Sequence, residues 1–302
     1  MGLTLEQAIA RVPLLANAKE LKTKPLTGGI TNLNFKIDAD GVSYVLRITG
    51  AGTDKLGIRR EVEHQANLAA GKLGVAPEVV YFIEPEGYLL TRFVDGIKVP
   101  AEEMVKDYNI RRVMNKIRCF HRNAPVLAGE FNVFRRVEYL VEVSKSNGSK
   151  FPGDFDWIAN RMHQAEEALL KHPYTPTPCH CDLLNLNFLD EYGDMKVLDW
   201  EYAGMGDIFF DLGNFSHHHK FTDEMEMTEL RCYFGDCTPD LFAHLKLMKP
   251  MSEIHEAMWG TTQTGLSKLD EDFQGYADYW FARARIDMLD PRWDQWLKDV
   301  AA

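Results

Sequence analysis

Long apolar runs are missing from this sequence, and with them any expectation of a membrane-spanning helix. The amino terminus, MGLTLEQAIARVPLL, has no basic stretch leading into a long hydrophobic core, so no secretory signal is expected and the protein is expected to be cytoplasmic. It opens Met-Gly, yet the sixth residue is Glu6 where a myristoylation signal carries Ser or Thr. Cysteine is scarce and odd in number, five in 302 residues, which suits free thiols and not a disulfide framework. Cys179 and Cys181 flank His180, but neighbours on an extended segment point to opposite faces, so the run cannot close around a metal by itself. Basic residues are outnumbered, 34 Lys and Arg against 45 Asp and Glu, for a net charge of −11. That balance lacks the positive footprint of a nucleic-acid binder, so no nucleic acid is expected as a partner and a cationic ligand is favoured. Internal repeats, low-complexity tracts and a Walker-type lysine motif are absent too.

What is present reads as an α+β protein in two parts, residues 1–94 and 95–302. In the first part, Phe35–Ile37 and Ser43–Ile48 are β-rich runs joined by a turn near Asp40-Gly41. An amphipathic helix is expected from Ile58 to Leu73, ended by Gly74. Two further strands, Val79–Ile83 and Tyr88–Phe93, turn at Pro85-Glu86-Gly87. The expectation is a five-stranded antiparallel lobe with one helix. Beyond Asp95-Gly96 the pattern is mostly helical, broken near 176–200 by two short strand-like pieces.

The sharpest signal is His180-Cys181-Asp182-Leu183-Leu184-Asn185-Leu186-Asn187, an H-x-D-x-x-x-x-N pattern followed by Asp199-Trp200-Glu201. Phosphoryl transfer needs a carboxylate to orient the attacking hydroxyl and hard oxygen ligands to hold Mg²⁺ against nucleotide phosphates. Asp182, Asn187 and Asp199 are of those types. A hairpin between Asn187 and Asp199 would return the second beside the first.

With these motifs the chain resembles the choline/ethanolamine kinase family, within the aminoglycoside-phosphotransferase-like group of protein-kinase-like fold. The likeness runs from about Leu26 to Leu289. It implies a bilobal kinase-like fold, ATP and Mg²⁺ as cofactors, and a small cationic alcohol, choline or ethanolamine, as substrate. It makes Asp182 the catalytic base and Asn187 and Asp199 the metal ligands, with His180 and Asp211 in support. Asp211 either accepts hydrogen bonds from the catalytic loop or caps a helix. The likeness also matches Gly28, Gly29, Thr31 and Asn32 to a phosphate-approaching loop, and Arg47 to the phosphate-binding cation. Glu63 is its expected partner, with Glu61 as the alternative. Arg92, Phe93 and Val94 form the expected inter-lobe segment around the base.

The pocket for the substrate's cation is expected from Tyr202, Trp259, Tyr276 and Tyr279, since aromatic faces attract cations. Eukaryotic-type choline kinases carry a second Trp three residues after the first; here that residue is Thr262. Thiamine and aminoglycosides therefore stay open as substrates, as does an idle kinase-like binding protein. His217, His218 and His219 fan around a helix, so at most one of them faces a shared site.

Overall fold

The computed structural model describes residues 2–26, 32–50 and 53–302. Gly28, Gly29 and Thr31 lie outside these described residues, so the matched glycine loop carries no structural account.

Two short helices, α1 (Leu5–Arg11) and α2 (Pro13–Ala16), precede the sheet. They are an addition to the one helix expected beside it. Thr4 and Gln7 close a capping box at the start of α1, and Pro13 opens α2, where its missing N–H costs nothing. The sheet comprises β1 (Leu21–Leu26), β2 (Asn32–Ala39), β3 (Val42–Thr49), β4 (Val79–Ile83) and β5 (Tyr88–Arg92), antiparallel in the order β1-β2-β3-β5-β4. Asp40 and Gly41 both have positive φ, 48° and 81°, the conformation a two-residue hairpin turn requires. One face of the sheet buries Ile37, Leu46, Ile83 and Leu90 against Ala8, Val12 and Leu15 of the two added helices. Helix α3 (Arg60–Lys72) follows β3, and its apolar side, Val62, Ala66, Ala69 and Ala70, joins the main helical core instead.

The rest begins with β6 (Ile97–Lys98), α4 (Ala101–Met104), α5 (Asp107–Asn123), α6 (Val133–Ser146) and α7 (Phe155–Leu169). Next come β7 (Thr177–Cys179), β8 (Phe188–Glu191), β9 (Asp194–Val197) and β10 (Gly204–Gly206). The chain finishes with α8 (Ile208–His218), α9 (Asp223–Phe234), α10 (Pro239–Leu266), α11 (Phe273–Met288) and α12 (Trp293–Asp299). β8 and β9 form the expected hairpin, with β6 paired along β8. The 28-residue α10 is buried on nearly every side because α6, α8, α11 and α12 all pack on it, which suits its apolar composition. α11 comes unusually close at Gly260, where a Cβ would meet Tyr276 Cδ1 at 2.9 Å and Ala277 N at 3.1 Å. Glycine at that crossing is what brings Tyr276 onto α10. Among the described residues no helix is long and apolar enough to cross a membrane.

Candidate active site

Asp211 lies inside the first turn of α8 and is fully buried. It does not cap the helix. Asp207 does, accepting from Phe209 N at 2.9 Å. The Asp211 carboxylate instead accepts from the backbone N–H groups of His180 at 2.8 Å and Cys181 at 2.7 Å, and from His121 Nε2 at 2.9 Å. Burial alone would raise its pKa; these donors and the neighbouring imidazoles overcome that and hold it below the usual carboxylate range. Asn214, one turn on, accepts from Leu183 N. The loop after β7 is thus pinned from beneath, and it tolerates a left-handed Cys181 (φ 67°), a conformation few non-glycine residues keep without such support.

His180 is held in one tautomer. Its Nδ1 accepts from Asp182 N at 3.1 Å, so Nε2–H donates to Leu198 O at 2.8 Å. Burial drives its pKa down to about 4, keeping the ring neutral. The imidazole therefore ties the loop that carries Asp182 to the end of β9.

Asn187 donates Nδ2 to the backbone oxygen of Asp182 at 2.9 Å and to its carboxylate at 3.2 Å. Leu198 N donates to Asn187 O at 2.8 Å, closing the foot of the hairpin and setting Asp199 beside Asn187. Asp199 adopts a left-handed backbone (φ 61°), which turns its carboxylate out of the strand direction. Burial and then Glu256, Asp199 and Glu201 push the Asp182 carboxyl well above its ordinary range. Burial and Glu201 raise Asp199 to about 6 against the pull of Arg47 and Arg60.

Arg47, on β3, reaches both Glu63 of α3 and Oδ1 of Asp199, the latter at 2.9 Å. Glu61 is turned away, paired with Arg59 at 2.6 Å on the surface. Arg60, which sequence reasoning passed over, and Glu201, noted there only as part of its motif, complete the network. Arg60 Nη1 donates to Glu63 at 2.6 Å and to Glu201 Oε2 at 3.2 Å, and Asn32 Nδ2 donates to the same Glu201 oxygen at 3.1 Å. The Asn32 amide nitrogen therefore serves this acidic cluster.

Arg47, Asn187 and Asp199 line a cavity of about 390 Å³ between the sheet and the β8–β9 hairpin. Val45, Leu89 and Leu198 give it apolar lining, and Arg92, Phe93 and Val94 line it as well. The backbone N–H groups of Arg92 and Phe93 already donate to Glu78 O and Ser43 O, so those two are not donors to a ligand.

Tyr202 is packed edge-on to His255 at 6.1 Å, and among the described residues its buried hydroxyl has no hydrogen-bond partner. Trp259 and Tyr276 meet edge to face at 5.5 Å, with Trp280 beyond at 6.2 Å from Tyr276. Tyr279 rests against Trp280 and is 45% exposed, the least enclosed of the four expected pocket residues. Thr262 faces α6, hydrogen-bonded to Ser144 Oγ at 2.9 Å and Met258 O at 2.7 Å, and supplies no wall. The three histidines part company: His217 meets Ser252, His219 meets Phe215 O and Asn185, and His218 lies 3.6 Å from Glu256. Glu256 was missed by sequence reasoning. Its signal was a carboxylate three residues before Trp259, one of two with Glu253 in a stretch otherwise destined for the core.

Residues 22–236 match the phosphotransferase enzyme family. Protein LicA of Haemophilus influenzae is 28% identical over 264 residues, covering 86% of this chain and 76% of that one. Ethanolamine kinase 2 of Rattus norvegicus is 25% identical, covering 86% and 74%. A crystal structure of a choline/ethanolamine kinase family protein from Mesorhizobium loti is 30% identical and superposes with a TM-score of 0.84 over 98% of both chains.

Proposed function

The chain belongs to the phosphotransferase enzyme family, and within it to the choline/ethanolamine kinase family, and from that premise we propose that it phosphorylates the hydroxyl of a small cationic alcohol with ATP and Mg²⁺. The observation that carries this reading is the convergence of four side chains from three separate segments: Arg47, Asn187 and Asp199 line the cavity, Arg47 donates to Asp199, and Asn187 donates to the carboxylate of Asp182. Residues 1–94 supply the nucleotide side and residues 95–302 the catalytic and substrate side.

Arg47 binds phosphate oxygens through its guanidinium fork, kept in place by Glu63, which Arg60 braces in turn. An amide oxygen from Asn187 and a carboxylate from Asp199 are hard donors that suit Mg²⁺, a cation that retains water and takes phosphate oxygens for its remaining positions. When bound there, the ion supplies charge neutralisation on the transferring phosphoryl group. Asp182 orients the substrate hydroxyl and takes its proton, with its carboxylate aimed by Asn187 Nδ2 and its backbone by His180. The acidic walls, Asp182, Glu201 and Glu256, favour a substrate that brings positive charge.

ADP release from Mg²⁺-ATP, measured across ethanolamine, choline, thiamine and an aminoglycoside, tests the assignment. Turnover confined to the small amino alcohols is the expected result. Absence of turnover with every alcohol, together with ligand binding, would instead leave a binding protein of kinase-like fold.

A further inference from the structure

Glu256 is 8% exposed. One of its oxygens accepts from the Tyr276 hydroxyl at 2.5 Å; the other faces His218 Nε2 at 3.6 Å, beyond hydrogen-bond reach. The His218 side chain is itself 9% exposed, and its buried Nε2 has no hydrogen-bond partner among the described residues. Donor atoms of Asp182, His218 and Glu256 all fall within 4.8 Å of one another. Enclosed polar groups left unsatisfied in this way are costly unless a ligand completes them. Burial works against ionisation of Glu256, but His218, His255 and Tyr276 outweigh it and keep its carboxyl below the ordinary range.

Resting on the kinase reading above, we propose that Glu256 anchors the substrate's cationic nitrogen, that this nitrogen carries an N–H, and that it stands two carbons from the hydroxyl. A carboxylate has about four lone-pair sites, and Tyr276 uses one, so acceptors remain for a protonated amine. A trimethylammonium cannot donate and needs aromatic faces on several sides. Position 262 contributes none, and Trp280 is engaged edge-on with His217 and His218 at 4.7 and 5.2 Å. The tether length follows from Asp182 and Glu256 being neighbours. With the hydroxyl on one and the nitrogen on the other, a chain of two carbons, each bond about 1.5 Å, spans the gap without looping. The aromatic rim of Trp259 and Tyr276 suits an organic cation better than a hydrated metal ion.

The test compares KM and kcat for ethanolamine, choline, 3-aminopropan-1-ol and ethylene glycol in the wild type, Glu256→Gln and Glu256→Asp, with the ATP-induced thermal shift as a control for the nucleotide site. Wild type is expected to prefer ethanolamine at least tenfold in kcat/KM over the other three. Glu256→Gln is expected to raise the ethanolamine KM at least tenfold and keep the ATP shift. Glu256→Asp keeps the charge but retracts it, so 3-aminopropan-1-ol should gain on ethanolamine; this variant decides the matter if the glutamine form does not fold. The anchor is overturned by a KM within twofold of wild type in Glu256→Gln, by choline as the preferred substrate, or by unchanged tether discrimination in Glu256→Asp. Mn²⁺ binding to the nucleotide-free protein that vanishes in Glu256→Gln while amine use persists overturns it in favour of a metal site. ADP release with a neutral alcohol or an aminoglycoside alone sinks the anchor and the small cationic substrate while leaving phosphoryl transfer standing, whereas none with any alcohol removes both.

Discussion

Arg47 Nη1 donates to Oδ1 of Asp199 at 2.9 Å across 152 residues of sequence. The strand expected to hold phosphate is thereby registered against the hairpin expected to hold metal, and Glu63 fixes the far side of the same guanidinium. This planar cation joins the two halves of the site, as Arg60 does between Glu63 and Glu201.

Asp199→Asn should weaken ATP binding about tenfold or more in the presence of Mg²⁺ and change it little in EDTA, because only the metal-dependent part is lost. Arg47→Lys keeps the charge but not the fork, so the KM for ATP should rise while some turnover survives. Titration calorimetry with and without Mg²⁺ checks the first, and steady-state kinetics the second. Equal loss under both metal conditions would argue against a ligand role for Asp199.

Asp182→Asn should lower kcat by about 10²–10⁴ while the ATP-induced thermal shift persists. Its partner Asn187 can still hydrogen-bond the amide, so the loop is expected to stay in place. Near-normal turnover would remove Asp182 from the chemistry.

Asp211→Asn replaces an acceptor of three hydrogen bonds by a side chain with one oxygen, leaving a buried N–H mismatched. A loss of about 2–4 kcal/mol by urea unfolding is expected, with kcat falling alongside. The carboxyl of Asp211 is depressed in the folded protein, so its contribution is full above the unfolded value of about 3.9 and is lost as pH falls through the folded one. The gap between wild type and variant should therefore narrow only in strong acid.

His255 is buried among Phe131, Phe210 and Tyr202, beside Arg136 and Glu256, and among the described residues neither ring nitrogen has a hydrogen-bond partner. Burial, then Arg136, lowers its pKa from 6.5 to about 4. The unfolded chain binds the proton first, so stability is full above pH 6.5 and erodes as pH falls toward 4, by about 3 kcal/mol at 1.36 kcal/mol per unit. His255→Leu should match wild type at pH 7 and exceed it at pH 5 in thermal melts. A variant with the same pH slope as wild type would show that another group governs the loss.

Neighbouring residues determined a good deal of this protein without help from the fold. The turn at Asp40-Gly41, the helix ending before Gly74, and the run from His180 to Asp199 depend on spacing and backbone hydrogen bonding over short stretches, and they read directly. The capping box at Thr4 and Gln7 was equally local and was overlooked. Only the tertiary structure chose Glu63 over Glu61, turned Thr262 into α6, and separated the three histidines, because which face of a helix meets which neighbour depends on how the whole core packs. The Asn32–Glu201 and Tyr276–Glu256 pairs join residues 169 and 20 positions apart with no periodicity to announce them. The second contact exists because α10 and α11 are pressed together by apolar burial along their length, a force that is non-directional and leaves no local mark on the residues it brings into contact.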